Sequence, residues 1–370
     1  MKLIDLRQKK LESKIFFLKI KKGEDFTKMP EFIIFKEINK TGIIILNRPK
    51  ALNALNLEMA VKLKNQLMLW KKDQNIKRVL IKGNRFAFCA GGDIKSICIS
   101  KKNSSLRKNF FKQEYELNYL IQSFSKPYLA IWNGVVMGGG VGLSVYGKYR
   151  ITTENAKFAM PESAIGFFPD VGTSYILSRM KKSMGLFIAL TGYILNYFEI
   201  YKLGLANKFV EMDNLENFEK NFIENGKIIS NSIDNFSNNK SEIINNIGRI
   251  NKHFSTKNIN NIFNNLMSDD TPFSKKILGI LVKRCPMSLA ITFEMINRAK
   301  KKSFKDCLHM DYHLSQIMIN RKDFEIGVNE VLINKTYNQK WDPPLINEIT
   351  SKIKENFNNI STKKLNLDIG

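Results

Sequence analysis

Alternation of apolar and polar residues becomes regular at Phe32. Residues Phe32–Lys36 and Gly42–Leu46 are short β-rich runs parted by a turn around Asn39 and Gly42, which predicts a hairpin. From Leu55 to Lys72 apolar residues recur at helical spacing, at Leu57, Ala60, Val61, Leu67 and Met68, with Leu63 and Trp70 on the flank. That period predicts a helix with a basic outer face. Further strands are expected at Val79–Ile81, Tyr128–Trp132, Ile151–Thr153 and Phe158–Met160. Strands alternating with helices at these intervals point to an α/β architecture rather than an all-α or all-β one.

Tyr128 to Gly147 holds twenty residues without a charge, long enough to raise a membrane span. Six of them are glycines, and five of these cluster with Asn133 at Asn133–Gly134 and Gly138–Gly142. A strand, a tight turn and a closely packed helix start account for them better. From about 225 to 270 the chain turns Asn-, Ser- and Ile-rich, as in Asn231–Asn239 and Asn258–Asn265, with weak helical periodicity. The expected organisation is therefore a core over 30–220, an Asn-rich linker or insertion over 221–271, and a helical C-terminal region over 272–370. Trp341-Asp342-Pro343-Pro344 interrupts that last region. Residues 1–29 carry eight lysines and one arginine against Asp5, Glu12, Glu24 and Asp25. They lack the apolar run of a secretory signal. As a mitochondrial transit peptide this leader has the right sign of charge, while its four acids and few serines count against that reading.

Composition narrows the classes. With 44% hydrophobic residues and 26 phenylalanines in 370, the chain is not a disordered one. Four scattered cysteines, Cys89, Cys98, Cys285 and Cys307, exclude a disulfide scaffold and are expected as reduced thiols. With no CxxC pair and only His253, His309 and His313, there is almost no material for a zinc site. The formal charge of +25 and pI near 9.7 have two readings. One is a polyanionic partner such as nucleic acid. The other is a coding bias, since Lys far outnumbers Arg and Asn and Ile are frequent, although such bias does not explain so large a surplus over acids.

Two glycine-rich segments are candidates for chemistry, Phe88-Cys89-Ala90-Gly91-Gly92-Asp93-Ile94 and Met137-Gly138-Gly139-Gly140-Val141-Gly142-Leu143. Neither is a phosphate loop, and the dinucleotide spacing fails at Leu143. Backbone bare of side chains can aim N–H groups at a ligand oxygen, and two such donors make an oxyanion hole. The same glycines could instead serve only close packing. The next feature is Glu162 and Asp170, eight residues apart in an otherwise apolar run. A carboxylate among Met, Ile and Phe is desolvated and becomes a stronger base. A helix-start acid is the plainer alternative. No GxSxG occurs, so a Ser-His-Asp triad is not expected. Cys89 has no basic neighbour in sequence and reads as a small core residue.

FCAGGDI (88–94), MGGGVGL (137–143) and FAMPESAIGFFPDVG (158–172) together resemble the enoyl-CoA hydratase/isomerase (crotonase) superfamily, and within it the 3-hydroxyisobutyryl-CoA hydrolase branch. LNRPKALNALNLEM (46–59), FFKQEYELNYLIQSFSKPYLAIWNG (110–134), MDYHLSQ (310–316) and DFEIGVNEVLI with the later KW (323–341) support the match. The resemblance implies a crotonase-type spiral of ββα units with a helical C-terminal region. It implies an oxyanion hole at the Gly92 and Gly139 amides, a catalytic carboxylate at Glu162, and a second acid at Asp170 that binds substrate and assists. Glu114 matches a further substrate-contacting glutamate, and Lys50 and Ala51 are placed against CoA. Where hydratases of the superfamily carry a second glutamate, this chain has Gly142, which favours hydrolysis over hydration.

The implied activity is hydrolysis of 3-hydroxyisobutyryl-CoA in mitochondrial valine breakdown. CoA belongs to the substrate, so no cofactor and no metal are expected. Superfamily members often form homo-oligomers through the C-terminal region. A different class stays open beside the enzyme: relatives of this fold resemble a protein of the mitochondrial ribosomal small subunit. The charge and basic leader would suit a surface on rRNA.

Overall fold

The hairpin forms as expected, from β1 (Ile33–Ile38) and β2 (Thr41–Leu46), with Ile38 paired to Thr41. Asn39 and Lys40 between them both take positive φ, 48° and 64°. That turn matches the right-handed twist of the two strands. The computed structural model describes residues 31–84, 86–102, 104–230, 241–349 and 351–367. The leader 1–29 and the whole of Asn231–Asn239 lie outside them.

The helix Leu57–Lys72 starts where Asn56 accepts the Met59 N–H at 2.8 Å. Its buried residues are Met59, Ala60, Leu63, Leu67 and Trp70. Leu63 and Trp70, read from the sequence as flanking, are thus core. Trp70 lies against Gly42, where a Cβ would come within 2.7 Å of the indole. Only a glycine in β2 lets a ring that large seat there.

Strands then alternate between two sheets. β3 (Arg78–Lys82), β5 (Tyr128–Trp132), β7 (Tyr149–Thr152) and β10 (Lys208–Phe209) extend the hairpin into a six-stranded sheet ordered β1-β2-β3-β5-β7-β10. β4 (Ala87–Cys89), β6 (Val135–Met137), β8 (Lys157–Ala159) and β9 (Leu195–Asn196) make the second sheet in that order. All pairs beyond the hairpin are parallel except β8–β9. Each turn of the chain therefore adds one strand to each sheet, which is the expected ββα spiral. Strands β5 and β6 with the helical turn Gly139–Gly142 absorb the uncharged stretch. Among the described residues no helix is long and apolar enough to cross a membrane.

One face of the larger sheet, with Ile43, Leu80, Leu129 and Ile151, is covered by Leu215, Phe218 and Phe222 of the helix Leu215–Asn225. The segment expected as a linker is not extended or unpatterned over 241–267. It forms the helices Glu242–Asn245, Ile247–Phe254 and Ile259–Met267. Ile243, Ile250, Phe254, Ile262 and Leu266 are buried there, so the asparagines form the outer face of a real apolar stripe. The C-terminal region supplies helices Pro272–Leu281, Pro286–Ala299, Phe304–Met318 and Lys322–Gly327, the last running on into a π-helical turn, Val328–Ile333. Continuous helix ends at Ile333, short of the expected 370. The later turns Ile346–Glu348 and Ser351–Phe357 are 3-10.

Candidate active site

Three strands of the smaller sheet end side by side in the order β4, β6, β8, and each delivers one component just past its C-terminal end. β4 runs into Gly91-Gly92, β6 into Gly138-Gly139, and β8 into Pro161-Glu162. Ligands of parallel sheets bind at such carboxyl ends, where the backbone turns and exposes N–H groups. The Gly92 and Gly139 amides have no hydrogen-bond partner among the described residues. They are close neighbours, since a Cβ built on Gly139 would lie 3.1 Å from the Gly92 nitrogen and collide with Glu114 Oε1. Gly138 takes φ +48°, and a Cβ there would sit 2.8 Å from Glu162 Oε1. Any side chain at Gly138 or Gly139 would enter the space between the amides and the carboxyls.

These residues line a cavity of about 140 Å³ with Asp170. Its apolar wall is Ile94, Ile165 and Phe167 from the core, closed by Val331 and Leu332 from the π-helical turn. Glu114 comes from the helix Ser105–Gln122, which starts at the cap Ser104. Phe111 of that helix stacks on Phe167 with ring centres 5.5 Å apart, which fixes its height over the cavity. The three carboxyls are nearly sealed, Glu114 at 2%, Glu162 at 7% and Asp170 at 5% exposure. Among the described residues, no lysine or arginine lines the cavity. Tyr115 Oη donates to Asp170 Oδ2 at 2.7 Å, whereas Glu114 Oε1 and Glu162 Oε2 have no partner among the described residues. Buried carboxyl oxygens without partners cost stability, and function is the usual reason a fold keeps them.

The electrostatics follow from crowding like groups away from water. Burial pushes Glu162 well above the usual carboxylate range, and the Asp170 charge adds to it. Glu114 is pushed up by burial, then by Asp170 and Glu162. Burial raises Asp170 to about 7, with the Tyr115 hydrogen bond opposing. Between the unfolded carboxyl's ordinary range near 4 and about 7, the native state therefore binds more protons than the unfolded chain. Stability contributed by the protonated acid is lost as pH rises through that window. Asp170→Asn is expected to stabilise the fold relative to wild type at pH 7.5, by on the order of a few kcal/mol at most, and so raise the melting temperature there, but to change it little at pH 4. Melts across pH 4–8 check this, and an equal gain at both ends would count against it.

The structure thus brings Gly92, Gly139, Glu114, Glu162 and Asp170 together. Lys50 and Ala51 are not with them. They sit on a 3-10 turn, Pro49–Ala51, Lys50 exposed and Ala51 half-buried, and neither lines the cavity. Their loop is nevertheless tied to the β4 end: Asn53 donates to the Ala87 and Phe88 carbonyls, and Arg48 pairs with Asp93 at 2.8 Å. Cys89 is buried and its thiol is pushed up to about 12, which makes it inert, as expected. Ser274, His253 and Asp269 do meet, but both partners contact the same nitrogen, Nε2, at 3.2 and 2.7 Å. A relay needs one partner on each ring nitrogen, so this cluster is structural. Tyr115, Val331 and Leu332 were missed. Tyr115 adjoins Glu114 in sequence, and Val331 and Leu332 lie in the DFEIGVNEVLI run, but nothing in that run marks those two as facing the site.

Among proteins of known family, a model described as enoyl-CoA hydratase/isomerase matches residues 41–357. This chain belongs to the enoyl-CoA hydratase/isomerase family. Within that family it is similar to the mitochondrial 3-hydroxyisobutyryl-CoA hydrolase of Xenopus tropicalis, 41% identical over 322 residues and 84% of each chain. The Homo sapiens protein of the same name is 38% identical over 346 residues, 90% of this chain and 89% of its own. Among solved structures, a carnitinyl-CoA dehydratase from Mycobacterium thermoresistibile superposes with a TM-score of 0.82 at 30% identity, covering 90% of this chain and 99% of the other. Enoyl-CoA hydratase/isomerase membership agrees with the spiral and with the helical C-terminal region.

Proposed function

We propose that this chain hydrolyses 3-hydroxyisobutyryl-CoA to 3-hydroxyisobutyrate and CoA, in the mitochondrion, as a step of valine breakdown. The observation that carries the reaction type is the facing of two unpartnered amides, Gly92 and Gly139, with a desolvated Glu162 across one small cavity. The substrate follows from the names of the relatives.

In this reading the thioester oxygen sits between the two amides, which stabilise the charge it gains as the carbonyl carbon is attacked. Glu162 either attacks that carbon itself, giving a mixed anhydride that water then cleaves, or takes the proton from an attacking water. Both routes break the C–S bond and release CoA as a thiolate. Gly142 supports hydrolysis over hydration. A Cβ there would meet the Asn118 amide and Val171 Cβ at 2.7 Å each, so no second glutamate fits. Asp170 and Glu114 hold the acyl hydroxyl. Exposed Lys50, on the loop tied to β4, supports a CoA phosphate site outside the cavity with Ala51. CoA phosphates match only a few of the +25 charges, and the surplus has no account in this site. The relatives' names favour the enzyme over the rRNA-bound reading.

An acyl-CoA panel read by thiol release tests the proposal. Isobutyryl-CoA lacks the hydroxyl and would leave the partnerless Glu114 oxygen unfilled. It is expected to have a kcat/KM about 30- to 100-fold below that of 3-hydroxyisobutyryl-CoA. Equal values would remove the acids from substrate recognition.

A further inference from the structure

The MDYHLSQ stretch carries a carboxyl that the proposed chemistry does not use. Asp311 lies on the Phe304–Met318 helix and is fully buried. Its Oδ2 accepts the Gly172 N–H at 2.7 Å, while Oδ1 has no partner among the described residues. The turn it reaches is one that needs holding. Val171 takes φ +52°, a left-handed conformation that a β-branched side chain resists, and Gly172 follows at +76°. Three side chains grip three successive residues of that turn. Tyr115 Oη donates to Asp170 Oδ2 at 2.7 Å, Tyr146 Oη donates to the Val171 carbonyl at 2.7 Å, and Asp311 takes the Gly172 N–H. Tyr115 and Tyr146 belong to the spiral core. Asp311 reaches across from the C-terminal region, 139 residues on from Gly172.

We propose that Asp311 is a positioning residue: by accepting the Gly172 N–H it clamps the strained Asp170-Val171-Gly172 turn and so keeps the Asp170 carboxyl in the cavity. The role rests on the reading of Asp170 as a substrate-holding acid. Burial, with Asp170 as a like-charged neighbour, pushes Asp311 well above the ordinary carboxylate range. A neutral acid has the shape of an asparagine side chain, whose carbonyl oxygen can accept the same N–H. The clamp also gives the C-terminal helices a part in the chemistry beyond covering the core.

Full-length Asp311→Ala and Asp311→Asn test this, by kcat and KM on 3-hydroxyisobutyryl-CoA and by hydrogen–deuterium exchange over residues 167–175. Alanine is expected to lower kcat about 10- to 30-fold with KM within about 3-fold, and to speed exchange in that segment alone. Asparagine is expected to stay within about 3-fold of wild type on both readouts. In the Asp170→Asn background, adding Asp311→Ala is expected to cost little more, because both act through one group. Full activity with unchanged exchange in the alanine variant, losses that multiply, or an asparagine variant as damaged as alanine would each overturn the clamp. Should Asp311→Ala fail to fold, the asparagine variant decides: faster exchange over 167–175 with kcat as low as in Asp170→Asn overturns it, and near-wild-type values support it. If wild type releases thiol from no acyl-CoA, the functional reading fails, and the exchange comparison still tests the clamp.

Discussion

Glu162→Gln is expected to lower kcat for thioester hydrolysis by about 10³-fold while KM changes little. The substitution keeps the shape of the side chain and removes only its ability to ionise. Glu162 starts a short 3-10 turn, Glu162–Ile165, seated among buried neighbours, and its Oε2 has no partner among the described residues to lose. The fold should therefore tolerate the amide, and removing a like charge from the Asp170 cluster should leave the melting temperature no lower. Both chemical routes need the carboxylate, whether as nucleophile or as base. Thiol release measured beside a circular-dichroism melt checks the result. An equally folded variant with full activity would take Glu162 out of the mechanism.

Gly139→Ala is expected to cost about 10²- to 10³-fold in kcat/KM. The added methyl would enter the space between the two amides, 3.1 Å from the Gly92 nitrogen and against Glu114 Oε1. That is where the thioester oxygen is proposed to sit, so the substitution blocks both donors at once rather than removing one. CoA alone has no thioester oxygen, and its affinity by calorimetry is expected to stay within about 3-fold. Activity within the same margin of wild type would place the oxyanion hole elsewhere. Loss of CoA binding together with activity would show a collapsed site instead.

The local periodicities had enough information for the hairpin, the Leu57–Lys72 helix and most strands of the spiral. They failed in the Asn-rich segment, where Ile250, Phe254, Ile262 and Leu266 carry a buried stripe beneath a composition that reads as linker. Composition averages over both faces of a helix, whereas burial depends on one. They also misjudged Leu63 and Trp70, because the width of a buried helix face depends on what packs on it, and Gly42 opens a seat for the indole.

By itself the sequence determined the chemical parts and the family they resemble. The glycine segments and the acid-bearing run are local signals, each readable within about ten residues. Only the tertiary structure decided that Gly92, Gly139 and Glu162 stand in a row, since that follows from the parallel order β4-β6-β8. The same is true of the raised carboxyl pKa values, which need water excluded on every side. Val331 and Leu332 closing the cavity and Asp311 holding the Gly172 turn are likewise contacts between distant segments. No local period encodes them, because a side chain's partner across the core depends on how whole elements dock. The sequence named the reagents, and the packing of the spiral against its C-terminal helices arranged them into a site.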